Sequence, residues 1–165
     1  MKAIAINDFG GPEQLQLVDR PMPPITDEQV LVAVHVAAVN PIDWRIRKGQ
    51  LKDFVAYEFP AIMGREVSGV VAQVGAAVRD FAVGDAVLGF LQQRLMHWGG
   101  YAEYVPVEAA KLAHKPANLS FEQAAALPVA GHTAWQGLFE VAKLQPGEVV
   151  LITGAAGGVG SLAVQ

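Results

Sequence analysis

The last stretch of the chain constrains it most. Residues 149–153 read Val149-Val150-Leu151-Ile152-Thr153, a short apolar run rich in β-branched side chains. Gly154-Ala155-Ala156-Gly157-Gly158-Val159-Gly160 follows, and Ser161-Leu162-Ala163-Val164-Gln165 takes up an apolar pattern again. A buried-type strand passing through a glycine-rich turn into a helix is the opening of a dinucleotide-binding βαβ unit. In the hexad from Ala155 to Gly160 an alanine stands where the strict pattern has its first glycine. Gly157 would let backbone approach a pyrophosphate, and Gly160 would let the helix pack closely on the strand. The N–H groups at the helix start would then face phosphate. Plain connectors also use such turns, and it is the preceding apolar run that favours the cofactor reading. The full unit needs roughly 30 residues, more than the chain holds from Glu148 onward, so the expectation is a truncated one.

At 165 residues there is room for one domain with its own core and part of a second. Apolar residues make up 52% and charged residues 17%, an excess consistent with surface to be covered by further protein. The net charge is −4 and the densest basic group is Arg45, Arg47 and Lys48, too small a cluster to expect a nucleic-acid partner. No apolar run reaches the length of about 18 residues that a membrane span requires, and residues 1–8 lack the apolar stretch of a signal peptide. Cysteine is absent, which excludes disulfides and thiolate zinc sites. A cytoplasmic address is the default expectation.

Up to about Pro116 the chain reads as strands and turns. Strands are expected over 3–6, 30–36, 69–75, 86–89 and 101–105, with turn signals at Gly84-Asp85 and Gly99-Gly100. This spacing predicts a small β-barrel. The character changes at Ser120, where Ser120-Phe121-Glu122-Gln123 fits a capping box. Helix formers run on to Leu144, interrupted at Pro128 and Gly131. The expected division is a β-rich domain over 1–119 and the start of an α/β domain over 120–165.

Several stretches taken in order resemble one family. They are Val39-Asn40-Pro41-Ile42-Asp43-Trp44 with Arg47 and Gly49; Gly64-Arg65-Glu66-Val67-Ser68-Gly69-Val70-Val71 leading to Val74-Gly75; Val83-Gly84-Asp85-Ala86-Val87; Gly99-Gly100-Tyr101-Ala102-Glu103-Tyr104; Leu127-Pro128 with Thr133-Ala134; and the glycine turn. The chain is similar to the medium-chain dehydrogenase/reductase superfamily, in its zinc-independent quinone oxidoreductase and enone reductase branch. The resemblance implies a β-rich GroES-like barrel, which would be the catalytic domain, followed by the start of a Rossmann domain. It also implies an NAD(P)H cofactor (NADPH, with NADH not excluded), a quinone or enone substrate and a homodimer.

Zinc-dependent relatives carry a cysteine near Asn40 and a His-Glu pair where this chain has Arg65-Glu66. Arginine cannot ligate a metal, so no zinc is expected. By the same resemblance the loop from Asn40 to Arg45 borders nicotinamide and substrate. Asn40 and Asp43 are the candidate catalytic residues, Asn40 bonding a carboxamide or polarising a carbonyl. Asp43 has the alternative of capping a helical turn around Trp44 to Arg47. Cofactor contacts are expected from Asn40, Thr133, Ala156, Gly157, Gly158, Val159 and Gly160. Thr133 could equally bond its own helix. Trp44 and Arg65 are expected to line the substrate, and Arg65 to pair with Glu66. His35 reads as a packed, hydrogen-bonded strand residue, His114 as surface, and His132 as a neighbour of Thr133. Tyr101 and Tyr104 read as strand packing. The alternative to a reductase is a non-catalytic module that acts by pairing with another chain.

Overall fold

The computed structural model describes residues 1–92 and 95–165. Among the described residues ten strands precede the C-terminal helices. They are β1 (Lys2–Ile6), β2 (Gln16–Asp19), β3 (Gln29–Ala37), β4 (Ala56–Tyr57), β5 (Ala61–Ile62), β6 (Glu66–Val74), β7 (Ala86–Phe90), β8 (Leu95–Met96), β9 (Tyr104–Glu108) and β10 (Leu112–His114). Helix α1 (Pro41–Arg47) lies between β3 and β4, and α2 (Phe121–Ala125), α3 (Pro128–Trp135) and α4 (Gly158–Val164) follow β10.

β-branched side chains dominate β3 and β6, the pair at the heart of a five-stranded antiparallel sheet ordered β10-β7-β6-β3-β9. Their register runs from Val30 opposite Val74 to Ala37 opposite Val67, with irregularities after Leu31 and Val34 that bend the sheet. A second sheet is ordered β2-β1-β5, and β4 pairs with β8 in parallel. The sheets close on one another where Ile4 N–H donates to the Tyr101 carbonyl at 2.7 Å and Met63 N–H to that of Ile4 at 3.2 Å. Inside, beside a small cluster of Ala3, Ala5 and Ile62, lie two larger apolar clusters. One is Val30, Val32, Val67, Val71, Val87, Leu91, Val105 and Val107; the other is Ile6, Ile46, Ala61, Met63 and Met96. Ile46 is the residue by which α1 is anchored in the second cluster. The predicted GroES-like barrel is therefore present.

Local expectations needed correction in five places. The stretch from Asn40 to Arg45 is helix α1 with Asn40 as its N-cap, not a loop. The strand expected over 101–105 starts at Tyr104, because Ala102 bridges to Ala3 instead. Gly131 does not interrupt its helix: α3 runs through it and passes into a π-helical turn, Gln136–Val141. His35 is exposed and stacks on Phe121 at 4.1 Å between ring centroids, because it falls on the outward face of β3. The fifth concerns residues 149–153, which form no strand. A strand exists by pairing, and among the described residues none lies beside this run. Val149 is 100% and Leu151 88% exposed.

The capping box is as read. Gln123 N–H donates to Ser120 Oγ at 3.2 Å and Ser120 N–H to Gln123 Oε1 at 2.9 Å. Ser68 Oγ donates to the Phe121 carbonyl at 2.6 Å, tying α2 to β6. Leu127 N–H then donates to the Ala124 carbonyl at 3.3 Å, so α3 follows α2 after one tight turn.

Candidate active site

Asn40 ends β3's excursion and begins α1, where Pro41 fits the first helical position because it has no N–H to leave unpaired. Asp43 Oδ2 accepts from the Asn40 backbone N–H at 2.7 Å and from the Tyr101 hydroxyl at 3.1 Å. The Asn40 side chain turns the other way, Nδ2 donating to Glu66 Oε1 at 2.5 Å. The second oxygen of that carboxylate, Oε2, accepts from Val129 N–H in the first turn of α3 at 2.7 Å. Asn40 and α3 are thus joined through one buried carboxylate at the start of β6.

From α3 the connection continues to the glycine turn. Helix α4 packs against α3, and a Cβ built on Gly158 would meet that of Ala130 at 3.8 Å. The turn itself is held by Gly157 N–H donating to the Gly154 carbonyl at 3.0 Å and Ser161 N–H to that of Gly157 at 2.8 Å. Side chains are kept small along Gly157-Gly158, leaving open backbone there. Asn40, Thr133 and the residues Ala156, Gly157, Gly158, Val159 and Gly160 therefore belong to one connected set.

Other candidates are placed differently. Asp43 is 5% exposed, under α1. It serves as the capping group of that helix, the alternative the sequence left open, and does not reach open surface. Burial raises its pKa, against the Asn40 N–H, the Tyr101 hydroxyl and the Arg65 charge, which lower it. Arg65 is also 5% exposed, so it lies inside and not on a surface where substrate could rest. Its Nη1 donates to Met96 Sδ at 2.9 Å and its guanidinium sits 5.5 Å from the centre of the Phe90 ring. The expected Arg65–Glu66 pair does not form: the two oxygens of Glu66 are taken by Asn40 and Val129. Trp44 is half-exposed beneath Arg45 and Lys48. The Thr133 hydroxyl donates to the Val129 carbonyl at 2.7 Å within its own helix. His132 Nδ1 lies 2.8 Å from the Pro128 carbonyl.

Tyr101 was read as strand packing, yet its hydroxyl is part of the buried polar group. Burial pushes that hydroxyl's pKa up, and the Asp43 carboxylate reinforces the shift. Glu66 is the residue sequence reasoning placed in the wrong partnership. The signal that it does more is its position: a carboxylate at the head of a valine-rich strand, once buried with it, needs hydrogen-bond donors brought to it. A separate cleft of about 480 Å³ between β7, β10 and α3 is lined by Phe90, Lys111, Pro128 and His132, and by neither Asn40 nor Thr133. Among the described residues no group of three or more His, Cys, Asp or Glu could hold a metal ion.

Residues 26–117 match the alcohol dehydrogenase GroES-like domain. The chain belongs to that family. It is 41% identical to the 2-methylene-furan-3-one reductase of Solanum lycopersicum, over all of this chain and 43% of the relative. It is 40% identical to the chloroplastic NADPH-dependent alkenal/one oxidoreductase of Arabidopsis thaliana, over all of this chain and 44% of that protein. The solved quinone oxidoreductase of Coxiella burnetii superposes with a TM-score of 0.87 at 41% identity, covering 99% of this chain and 52% of its own. This GroES-like chain spans about half the length of these relatives. The resemblance to medium-chain quinone and enone reductases is upheld by these matches.

Proposed function

We propose that residues 1–119 form the catalytic domain, and residues 120–165 the first cofactor-binding elements, of a zinc-independent NADPH-dependent reductase of quinones or α,β-unsaturated carbonyls. The observation that carries this reading is the line of contacts from Asn40 through Glu66 to Val129, and from α3 to the glycine turn. It links the polar group of the barrel and the glycine turn through one helix, α3. Relatives named for NADPH and for alkenal or quinone reduction support the substrate and cofactor classes.

When bound, the reduced nicotinamide would supply the hydride. The Gly157-Gly158 backbone would receive the pyrophosphate, where a side chain would obstruct it. Asn40, fixed at both backbone and side chain, would hold the nicotinamide end in position. Thr133 keeps lone pairs on its hydroxyl although its proton is given to Val129, so it would act as an acceptor. Tyr101 is half-buried and its hydroxyl proton is given to Asp43, so the proton that completes the reduction would come from elsewhere. The exclusion of zinc rests on Arg65, whose buried cation disfavours a second cation beside it. The exposed apolar residues Trp135, Phe139 and Val141 support assembly into a homodimer or onto further protein.

The test is Gly158→Asp in a chain extended to the length of its relatives. The new Cβ meets only an ordinary contact, so folding should be kept. The carboxylate opposes phosphate, so NADPH affinity should fall by at least tenfold. Unchanged affinity in calorimetry would remove the turn from the cofactor site.

A second reading is a non-catalytic module that pairs with another chain. It is favoured by the unpaired, exposed run 149–152. Light scattering decides between them for the 165-residue chain: a stable complex with a partner and no gain of NADPH binding on extension would support the module.

A further inference from the structure

Glu66 is buried in β6, and it makes no ion pair among the described residues. Each of its oxygens accepts one N–H, Oε1 from the Asn40 amide and Oε2 from the Val129 backbone. As placed, both oxygens only accept, the pattern of a carboxylate; burial pushes the Glu66 carboxyl's pKa up, and the Asn40 and Val129 bonds oppose that by favouring the ionised form. An amide that faces a carboxylate must turn its NH2 toward it. With Glu66 ionised, Asn40 turns Nδ2 toward it and Oδ1 away from it, as placed.

We propose that Glu66 is a positioning residue that sets the Asn40 amide and holds it in register with α3, so that Asn40 receives a hydrogen-bond donor of the carboxamide NH2 class at Oδ1. The choice of donor rests on the reading that Asn40 borders the cofactor; the orientation does not. Asn40 then binds the nicotinamide end and leaves the substrate carbonyl to other groups. The register matters equally. Val129 lies one helical turn before Thr133, so the carboxylate that aims Asn40 also fixes the helix from which Thr133 projects.

Glu66→Gln tests this with almost no change of shape. The Val129 N–H needs an acceptor, so the new amide must put its oxygen there and its NH2 toward Asn40. Asn40 must then turn over. In the 165-residue chain, NMR should show one Asn40 side-chain amide proton shifted well downfield by its charge-assisted bond, and that shift lost in Glu66→Gln. Asn40 resonances that stay in place would overturn the proposal.

A second pair guards against simple unfolding. Asn40→Asp sets a carboxylate against Glu66 and should lower stability, and Glu66→Gln in that background should restore it by exchanging donor and acceptor. A stable Asn40→Asp variant, or no rescue, would overturn the proposal. In the extended chain the probes are NADPH and its acetylpyridine analogue, which has a methyl in place of the carboxamide NH2. The unmodified protein should prefer NADPH about tenfold, the worth of one hydrogen bond, and Glu66→Gln should lose the preference. Retained preference would refute the donor assignment. Failure to bind either dinucleotide would refute the cofactor reading beneath that assignment, leaving the orientation to the NMR result.

Discussion

Residues 30–36 and 149–152 are similar in kind, short valine-rich apolar runs, the first interrupted only by His35. In β3 the run is paired on both edges, with β6 and β9, and Val30 and Val32 are fully buried. After the helices the run belongs to no strand, and Val149, Val150 and Leu151 are exposed. Apolar pattern alone therefore does not make a strand. The neighbours make it, by accepting its backbone hydrogen bonds and covering its faces. The barrel strands find their pairing partners within the first 114 residues, whereas the segment after Ser120 is held by α2 and α3 against β6 and by α4 against α3, and leaves Trp135, Phe139 and Leu151 uncovered.

The largest test of this contrast is a matched charge. Val32→Asp should unfold the barrel, because an unpaired carboxylate in that core costs more than about 5 kcal/mol. Leu151→Asp should change stability by less than about 0.5 kcal/mol. Urea denaturation of both variants gives the comparison, and a large loss at Leu151 would mean that the run is covered in solution. Two glycines give a smaller version. A Cβ on Gly69 would strike the backbone of Ala33 across the sheet, and one on Gly160 would strike the backbone of Gly154 and Ala155. The barrel cannot yield, so Gly69→Ala should cost about 3 kcal/mol. The turn can open, so Gly160→Ala should cost about 1 kcal/mol or less, with loss of α4 helicity by circular dichroism. Equal costs would show that the turn is held as firmly as the sheet.

What the sequence disclosed divides along the same line. The strands of β3, β6 and β7 and the capping box at Ser120 were readable because their signals are local: β-branched runs, glycine turns and a Ser-x-x-Gln spacing. The partnership of Glu66 was not readable, since Asn40 and Val129 lie far from it in the chain and only the fold delivers them. The same holds for Tyr101, whose hydroxyl meets Asp43 through the closure of one sheet on another. Residues 149–153 misled for the converse reason, a local signal whose partners are not among the described residues. Asn40 was legible as a site residue only through family resemblance; its orientation required the structure.

Titration should separate the two regions by sign. Burial raises Asp43 above its ordinary 3.8, so over the window from there to its native value the folded chain holds a proton that the unfolded chain has lost. This contribution to stability falls as pH rises through that window. Glu122 is fully exposed and its carboxyl is lowered from 4.5, chiefly by a hydrogen bond with Ser120. Its contribution is present above 4.5 and fades as pH falls through that value. Relative to the unmodified chain, Asp43→Asn should therefore gain stability as pH rises, and Glu122→Gln should lose it. Urea midpoints at successive pH values measure both, and slopes of like sign would break the distinction.

The most local effect lies at the junction. Ser120→Ala removes the acceptor for Gln123 N–H and ends the capping box, which should cost about 1 kcal/mol. The bond from Ser68 Oγ to the Phe121 carbonyl is untouched, so α2 stays seated on β6 and the loss is confined to its first turn. Amide exchange should quicken at Phe121, Glu122 and Gln123. It should stay unchanged at Val32 and Val71, whose N–H groups are protected by the sheet and not by the cap. If the barrel amides quickened by the same factor, α2 would belong to the barrel's own cooperative unit. The division near Ser120 would then mark a change of architecture within one folding unit, and the exposed segment beyond it would begin only after α3.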